Sequence, residues 1–374
     1  MTGALRVVLI GAGRRTRKVY GPWLACLPPH QEQPVAALAV VDTDVRAARE
    51  VAAALPGAAA ARPSDLDHIL ASERPDLVIV ATPDAAHRDY AMQALTAGVA
   101  TLVEKPLATT TEDAFALVHA DTVSRGRLLV GHNLRFTNLH THVRALLADG
   151  HIGTVTVADF HYTLNASHSR SYFTRWHRTR AASGGLEVTK ASHHLDLLAW
   201  WLGSQPAAVT AELARRNYFP GADGIPADAD IHDSLSALIE YTSGATARYT
   251  LTTDAPTEGY TCTLRGTAGV CTVRYDARSG PHTVQLRTAS NGDAGGDGAR
   301  RQIAREEGPH AGADRRMLTA LPHALRQQPG APTQFATAAE AALAVATGTA
   351  MYEASRQARR LPVPQPHHIS GEPR

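Results

Sequence analysis

The residues best equipped for chemistry lie at Glu104-Lys105-Pro106, where the apolar run Thr101-Leu102-Val103 stops at two charges and a residue without an N–H. Such a run reads as a buried parallel strand, and a lysine at its carboxyl end stands where open α/β sheets gather their ligands. Lysine is scarce here: of 37 Lys and Arg residues, only Lys18, Lys105 and Lys190 are lysine. Arginine stays charged, whereas burial can tune a lysine to release its proton near neutral pH. Lysines that survive a bias toward arginine are therefore candidates for proton transfer or for polarising an oxygen. The plain alternative is a surface Glu-Lys pair. A second polar cluster, Thr189-Lys190 followed by His193-His194 and Asp196, opens an apolar helix. Histidine there suits acid–base work by its ordinary pKa.

The elements that must position these groups start with a strand over residues 5–10, turned into a helix by Gly11-Ala12-Gly13-Arg14-Arg15. The pattern is that of a dinucleotide fingerprint, in which one glycine makes the turn and the next lets backbone approach a pyrophosphate. Thr16 stands where the third glycine is usual. A second strand, 36–41, ends in Asp42, an acid placed to accept from a ribose 2′-hydroxyl and repel a 2′-phosphate, which favours NAD over NADP. The competing reading has Asp42 or Asp44 cap the next helix, 45–55. Helix 65–71, strand 76–81, helix 85–97, the strand that ends at Lys105, helix 111–123 and strand 127–130 follow. That alternation predicts a doubly wound parallel sheet. Beyond it, helix 138–147, a strand from 154, paired strands 234–241 and 245–253, and a hairpin at 262–273 predict a second sheet. Residues 291–298 read as a mobile loop, 338–359 as a helix packed back on the first domain, and 364–374 as a disordered tail.

Composition narrows the function classes. With 374 residues, 44% hydrophobic content and a formal net charge of +2, the chain suits two domains and shows no basic surface for nucleic acid. Cys26, Cys262 and Cys271 form no C-x-x-C pair, and no apolar stretch approaches the roughly 20 residues of a membrane helix. The 19 histidines show no third ligand at zinc spacing beside His140-x-His142 or His193-His194, so no metal is expected. No signal peptide is read at the N-terminus, and the expectation is a soluble cytoplasmic protein.

Gly11-x-Gly13, Asp42, Ala81-Thr82-Pro83 with His87, Ala97-Gly98, Glu104-Lys105-Pro106-Leu107 and 131–136 together resemble the glucose–fructose oxidoreductase / inositol dehydrogenase (Gfo/Idh/MocA) family. The resemblance runs from about residue 6 to 363. It implies a Rossmann domain over 1–131 and an α/β domain over 132–363 with a large, open, mostly antiparallel sheet that carries the substrate and a dimer or tetramer contact. It makes Lys105 catalytic, with a cis bond to Pro106, and NAD the cofactor, contacted by Gly11, Ala12, Gly13, Arg14, Arg15, Asp42, Thr82, Pro83, His87, Glu104 and Lys105. Asn133, Arg135, Trp176, Arg178, His194 and His310 are the implied substrate contacts, His194 having a packing role at the helix start as its alternative. The family pattern of Asp, then His, then Asp is met at His193 and Asp196, but Thr189 replaces the first Asp. Threonine can only hydrogen-bond, so Thr189 is assigned positioning, and Lys190 takes over the lost polar function, contacts substrate, or is simply a snorkelled or salt-bridged lysine.

The expected activity is hydride transfer between NAD and a secondary hydroxyl or ketone of a sugar, amino sugar, nucleotide sugar or cyclitol, with Lys105 or His193 moving the proton. A tailoring step in secondary metabolism suits the Ala/Arg-rich composition. The alternatives are an NAD-dependent glycosidase working through transient oxidation, and a non-catalytic NAD sensor on the same fold.

Overall fold

The computed structural model describes residues 4–25, 35–277, 280–288, 299–326 and 334–366. The loop expected at 291–298 and the tail from 367 lie outside them. The chain divides into two compact units, one of Met1–His132, Asp314–Ala342 and Pro366–Arg374, the other of Asn133–Ala313 and Leu343–Gln365. The sequence division at 131 contains no such return of residues 314–342 to the first unit. The helix read at 338–359 spans Ala338–Gln357, and all but its first turn belongs to the second unit.

In the first unit, strands β1 (Leu5–Ile10), β2 (Val35–Val41), β3 (Ala59–Ala61), β4 (Leu77–Val80), β5 (Ala100–Glu104) and β6 (Leu128–Gly131) lie in the order β6-β5-β4-β1-β2-β3. All these pairs are parallel. Their interiors are almost pure Val, Ile, Leu and Ala because helices cover both faces of such a sheet. The order reverses at β1 and β4, and that crevice is where a doubly wound sheet receives its ligand. A two-residue strand, Ala336–Thr337, pairs antiparallel with β6 and closes that edge.

The second unit holds a nine-stranded sheet. Its strands are β7 (Val155–Asn165), β8 (Pro206–Ala214), β9 (Ser234–Tyr241), β10 (Thr246–Ala255), β11 (Gly259–Gly266), β12 (Gly269–Asp276), β13 (His282–Thr288) and β14 (Ala299–Ile303). They run β14-β13-β12-β11-β7-β10-β9-β8, with Leu361–Pro362 added beside β8. Only β7 and β10 pair parallel. Along β7, Ala158, Phe160, Tyr162 and Leu164 are buried while Asp159, His161 and Thr163 are not, the two-residue period of a sheet with one dry face. The helix Ser192–Leu202 belongs to this dry side: His194 lies against Phe160 and Tyr162, with ring centroids 5.1 and 4.2 Å apart. Sequence periodicity did not show β8, β13 or β14, nor a helix at Ala166–Thr174.

Candidate active site

In the first unit the glycine turn is shaped by close approach. Gly11 has φ +101°, and a Cβ there would sit 2.5 Å from the Ala81 carbonyl oxygen, so only glycine fits between β1 and the end of β4. Thr16 solves the missing third glycine differently: its buried hydroxyl donates to the Gly11 carbonyl at 2.5 Å and ties the first helical turn to the strand. Gly13 has nothing within 4 Å of where a Cβ would stand, an open space at the turn. Asp42 accepts from the Ala12 amide at 2.6 Å and, through its other oxygen, from the Asp44 amide at 2.8 Å. The helix Val45–Ala52 is capped by Asp44, which accepts from Arg46 and Ala47. Asp42 is therefore spared that task; it also accepts from the Thr43 hydroxyl at 3.4 Å, and a carboxylate has lone-pair capacity beyond these three bonds. The tight turn, the open face of Gly13 and the acid after β2 fit an NAD pyrophosphate and ribose.

At the end of β5 the Lys105–Pro106 bond is cis, as expected. Burial pushes the Lys105 pKa below the usual lysine range, opposed by the charges of Asp84 and Glu104. Asp84 is itself buried, just after β4, and sequence reasoning passed it over as part of a turn. The Glu104 carboxylate accepts from Arg15 Nε and Tyr20 OH, each at 2.5 Å, and Arg15 also donates to Asp314 at 2.6 Å. The Glu104 and Arg15 side chains belong to a buried ion cluster at the base of the Lys105 turn. His87 is buried, with Nδ1 2.7 Å from the Pro106 carbonyl and Nε2 3.1 Å from that of Thr82. It braces the turn. Thr82 is half-buried, and Pro83 and Arg14 are exposed.

In the second unit His193 and Thr189 are buried, and Lys190 is half-buried between them. Lys190 Nζ lies 3.8 Å from Glu258 Oε1 and 4.8 Å from the centre of the Tyr162 ring. Glu258 also accepts from Tyr162 OH at 2.9 Å, from His168 Nδ1 at 2.8 Å and from Asn165. Burial alone would raise its pKa, but these partners and the Lys190 charge bring it down to about 2. Neither Glu258 nor His168 was singled out in the sequence. The available signal was parity: Glu258 is in phase with the buried Tyr260, Cys262 and Leu264, an acid on the dry face of a strand.

Three of the residues expected at the substrate have protein partners. Arg135 donates to both Asp196 oxygens, at 2.9 and 2.7 Å, with both side chains 2% exposed, a bidentate pair inside the unit. Arg178 is clamped in the same way to Asp228, at 2.7 Å on each oxygen. His194 is buried with Nδ1 2.9 Å from Tyr249 OH. Asn133 is buried, Trp176 stacks on His177 at 3.7 Å between centroids, and His310 is exposed in a left-handed turn at φ +50°. Among the described residues no group of three or more His, Cys, Asp or Glu could hold a metal, and no helix is long and apolar enough to cross a membrane.

Comparison with known proteins supplies the family. Residues 5–132 match the model of an oxidoreductase family with an NAD-binding Rossmann fold, and residues 144–364 match that of its C-terminal alpha/beta domain. The protein YteT of Bacillus subtilis is 30% identical over 261 residues, 54% of this chain and 61% of that protein. Inositol 2-dehydrogenase of Rhizobium meliloti is 29% identical over 210 residues, 56% of this chain and 59% of that protein. The chain thus spans about three fifths of these relatives. Among solved structures, an oxidoreductase domain protein from Kribbella flavida superposes with a TM-score of 0.82 at 21% identity, over 98% of this chain and 100% of that one. Levoglucosan dehydrogenase in complex with NADH and levoglucosan gives 0.80 at 20% identity, over 97% and 100%. The chain belongs to the Gfo/Idh/MocA oxidoreductase family, with the NAD-binding Rossmann fold followed by the family's alpha/beta domain.

Proposed function

We propose that the chain is an NAD-dependent dehydrogenase acting at a secondary hydroxyl or ketone of a sugar, amino sugar, nucleotide sugar or cyclitol. The observation that carries the reading is Lys105, a desolvated lysine at the carboxyl end of a Rossmann strand, in the same unit as a glycine turn and an acid that suit NAD. When bound, NAD supplies the hydride acceptor, or as NADH the donor. Gly11, Ala12 and Gly13 would receive its pyrophosphate, and Asp42 its adenosine ribose. Lys105 handles the proton at the carbinol oxygen: its lowered pKa lets it give up a proton more readily than an exposed lysine. His193 is the second proton-handling group, and Thr189 orients it or the substrate by its hydroxyl. The relatives' printed activities, on inositol and levoglucosan, support a polyhydroxylated ring as substrate. A homo-oligomer through the polar face of the nine-stranded sheet and a cytoplasmic setting accompany this reading.

The test is a panel of sugars, nucleotide sugars and cyclitols mixed with NAD, following absorbance of the reduced nicotinamide and separating products. Accumulation of NADH with one substrate class is expected. Release of free sugar with no net reduction would move the protein to the glycosidases, and inertness toward the whole panel would leave only an NAD sensor. Asp42→Ala is expected to lower the preference for NADH over NADPH about tenfold, read by fluorescence titration. An unchanged ratio would refute the role of Asp42.

A further inference from the structure

The second unit contains a cavity of about 410 Å³ that none of the candidate site residues lines. Its walls come from three elements of that unit: Ser167 and Arg170 on the helix Ala166–Thr174, Asn217, Tyr218 and Asp223 on the connection between β8 and β9, and Asp254 near the end of β10. That volume lies in the range of small-molecule sites. We propose that this cavity binds a neutral polyhydroxylated ring, with the Arg170 guanidinium as donor and the Asp223 and Asp254 carboxylates as acceptors. The proposal takes its ligand class from the dehydrogenase reading and adds a place in the second unit where such a ring is held.

The groups around the cavity are held in place and keep unused hydrogen-bonding capacity. Tyr218 is buried, its ring stacked on Phe173 at 4.3 Å between centroids, and its hydroxyl donates to Asp254 Oδ1 at 2.5 Å. The amides of Arg216, Asn217 and Tyr218 all donate to the buried Asp233, which pins this part of the connection. Asn217 Nδ2 donates to Thr253 Oγ1 at 3.1 Å, and Arg170 uses one of its five N–H donors on the Asp223 carbonyl. Asp254 Oδ2 and the Asp223 carboxylate have no protein partner among the described residues. Both aspartates stand in left-handed backbone, at φ +50° for Asp223 and +58° for Asp254, which glycine would take more freely. Strain of that kind gathers at ligand sites, and here two such residues line one cavity. One guanidinium and two carboxylates leave the lining with an excess of one negative charge, which disfavours a phosphate or carboxylate ligand. Donors set beside acceptors suit hydroxyl groups, each of which does both. Ser167 donates to Asn165 at 2.8 Å, and Asn165 donates to Glu258, so two hydrogen bonds link the cavity to the cluster beside Lys190.

Binding is read without NAD, by saturation-transfer NMR and calorimetric titration of the intact chain with D-glucose, maltose and myo-inositol. At least one of them is expected to bind. Arg170→Gln and Asp254→Asn are each expected to weaken that binding about tenfold, the loss of one hydrogen bond to a charged group. Lys105→Met is expected to leave it unchanged, and D-glucose 6-phosphate to bind more weakly than D-glucose. The proposal is overturned if none of the three binds, if both cavity variants bind as the unsubstituted chain does, or if the phosphate ester binds more tightly. A loss in Lys105→Met as deep as in the cavity variants, or deeper, places the ring at the catalytic lysine and also overturns it. Arg170 is exposed, so Arg170→Gln still decides if Asp254→Asn does not fold. A chain that binds a ring here but is inert in the absorbance panel refutes the dehydrogenase reading alone. Turnover in that panel with binding indifferent to the cavity variants refutes this site alone.

Discussion

Two lysines, one in each unit, are set up in opposite ways. Lys105 is desolvated at a strand end and its pKa falls, and the acids near it, Asp84 and Glu104, only partly compensate. Glu104 is largely spoken for, since Arg15 and Tyr20 both donate to it and Arg15 goes on to Asp314. Lys190 instead sits beside a carboxylate whose other partners are all hydrogen-bond donors, and above an aromatic face. The same residue type is thus desolvated in one unit and paired with a buried carboxylate in the other. What differs is where each neighbouring acid spends its charge. Near Lys105, Glu104 is shared with an arginine; near Lys190, Glu258 is shared with neutral donors, His168 and the lysine.

The comparison can be broken most sharply at Lys105. Lys105→Met is expected to lower kcat by about 10²- to 10⁴-fold with NADH binding unchanged. Near-normal turnover would pass the proton chemistry to His193. Next comes the ion cluster beneath it. Arg15→Leu leaves Glu104 and Asp314, with side chains 10% and 5% exposed, buried without their counter-charge. A loss of about 3–5 kcal/mol in urea unfolding is expected, and a loss below 1 kcal/mol would show the cluster to be solvated. A smaller effect should separate the units by pH. His140 is buried and neutral, with its pKa pushed down by burial from 6.5 to about 3, and His282 is lowered to about 4. The folded state disfavours their charged forms, so stability from them is full above about 6.5 and is lost as pH falls toward 4 and 3. Glu258, lowered from 4.5 to about 2, adds a loss only below about 4.5. Hydrogen exchange at falling pH should therefore show the helix Asn138–Ala148, which carries His140, opening first. Uniform exchange across both units would contradict it.

How much of this was legible in the sequence followed the range of the interactions. The parallel sheet, the glycine turn and the cis Lys105–Pro106 turn arise from neighbours in sequence or from a family pattern, and were readable. Helix ends were less so: the helix expected over 45–55 stops at Ala52. The acid partners were not readable. Arg15 meets Asp314, and Lys190 meets Glu258, across folds of chain that no local pattern encodes. The same limit holds for Arg135 and Arg178, whose carboxylates, Asp196 and Asp228, no local pattern announces. Thr16 shows the opposite failure: the missing glycine weakened the motif by pattern, but its hydroxyl restores the same closeness by a hydrogen bond.

The short strand at Ala336–Thr337 bears on the order in which the molecule is built. Until those residues leave the ribosome, β6 has one row of unpaired backbone groups, an open edge of the kind that invites wrong pairing. Asp314 and the Ala324 carbonyl that accepts from Arg127 are equally late. Every strand from β7 to β14 is synthesised before them. The first unit is thus completed only after the strands of the second have been made, and until then its edge strand stays open to wrong pairing.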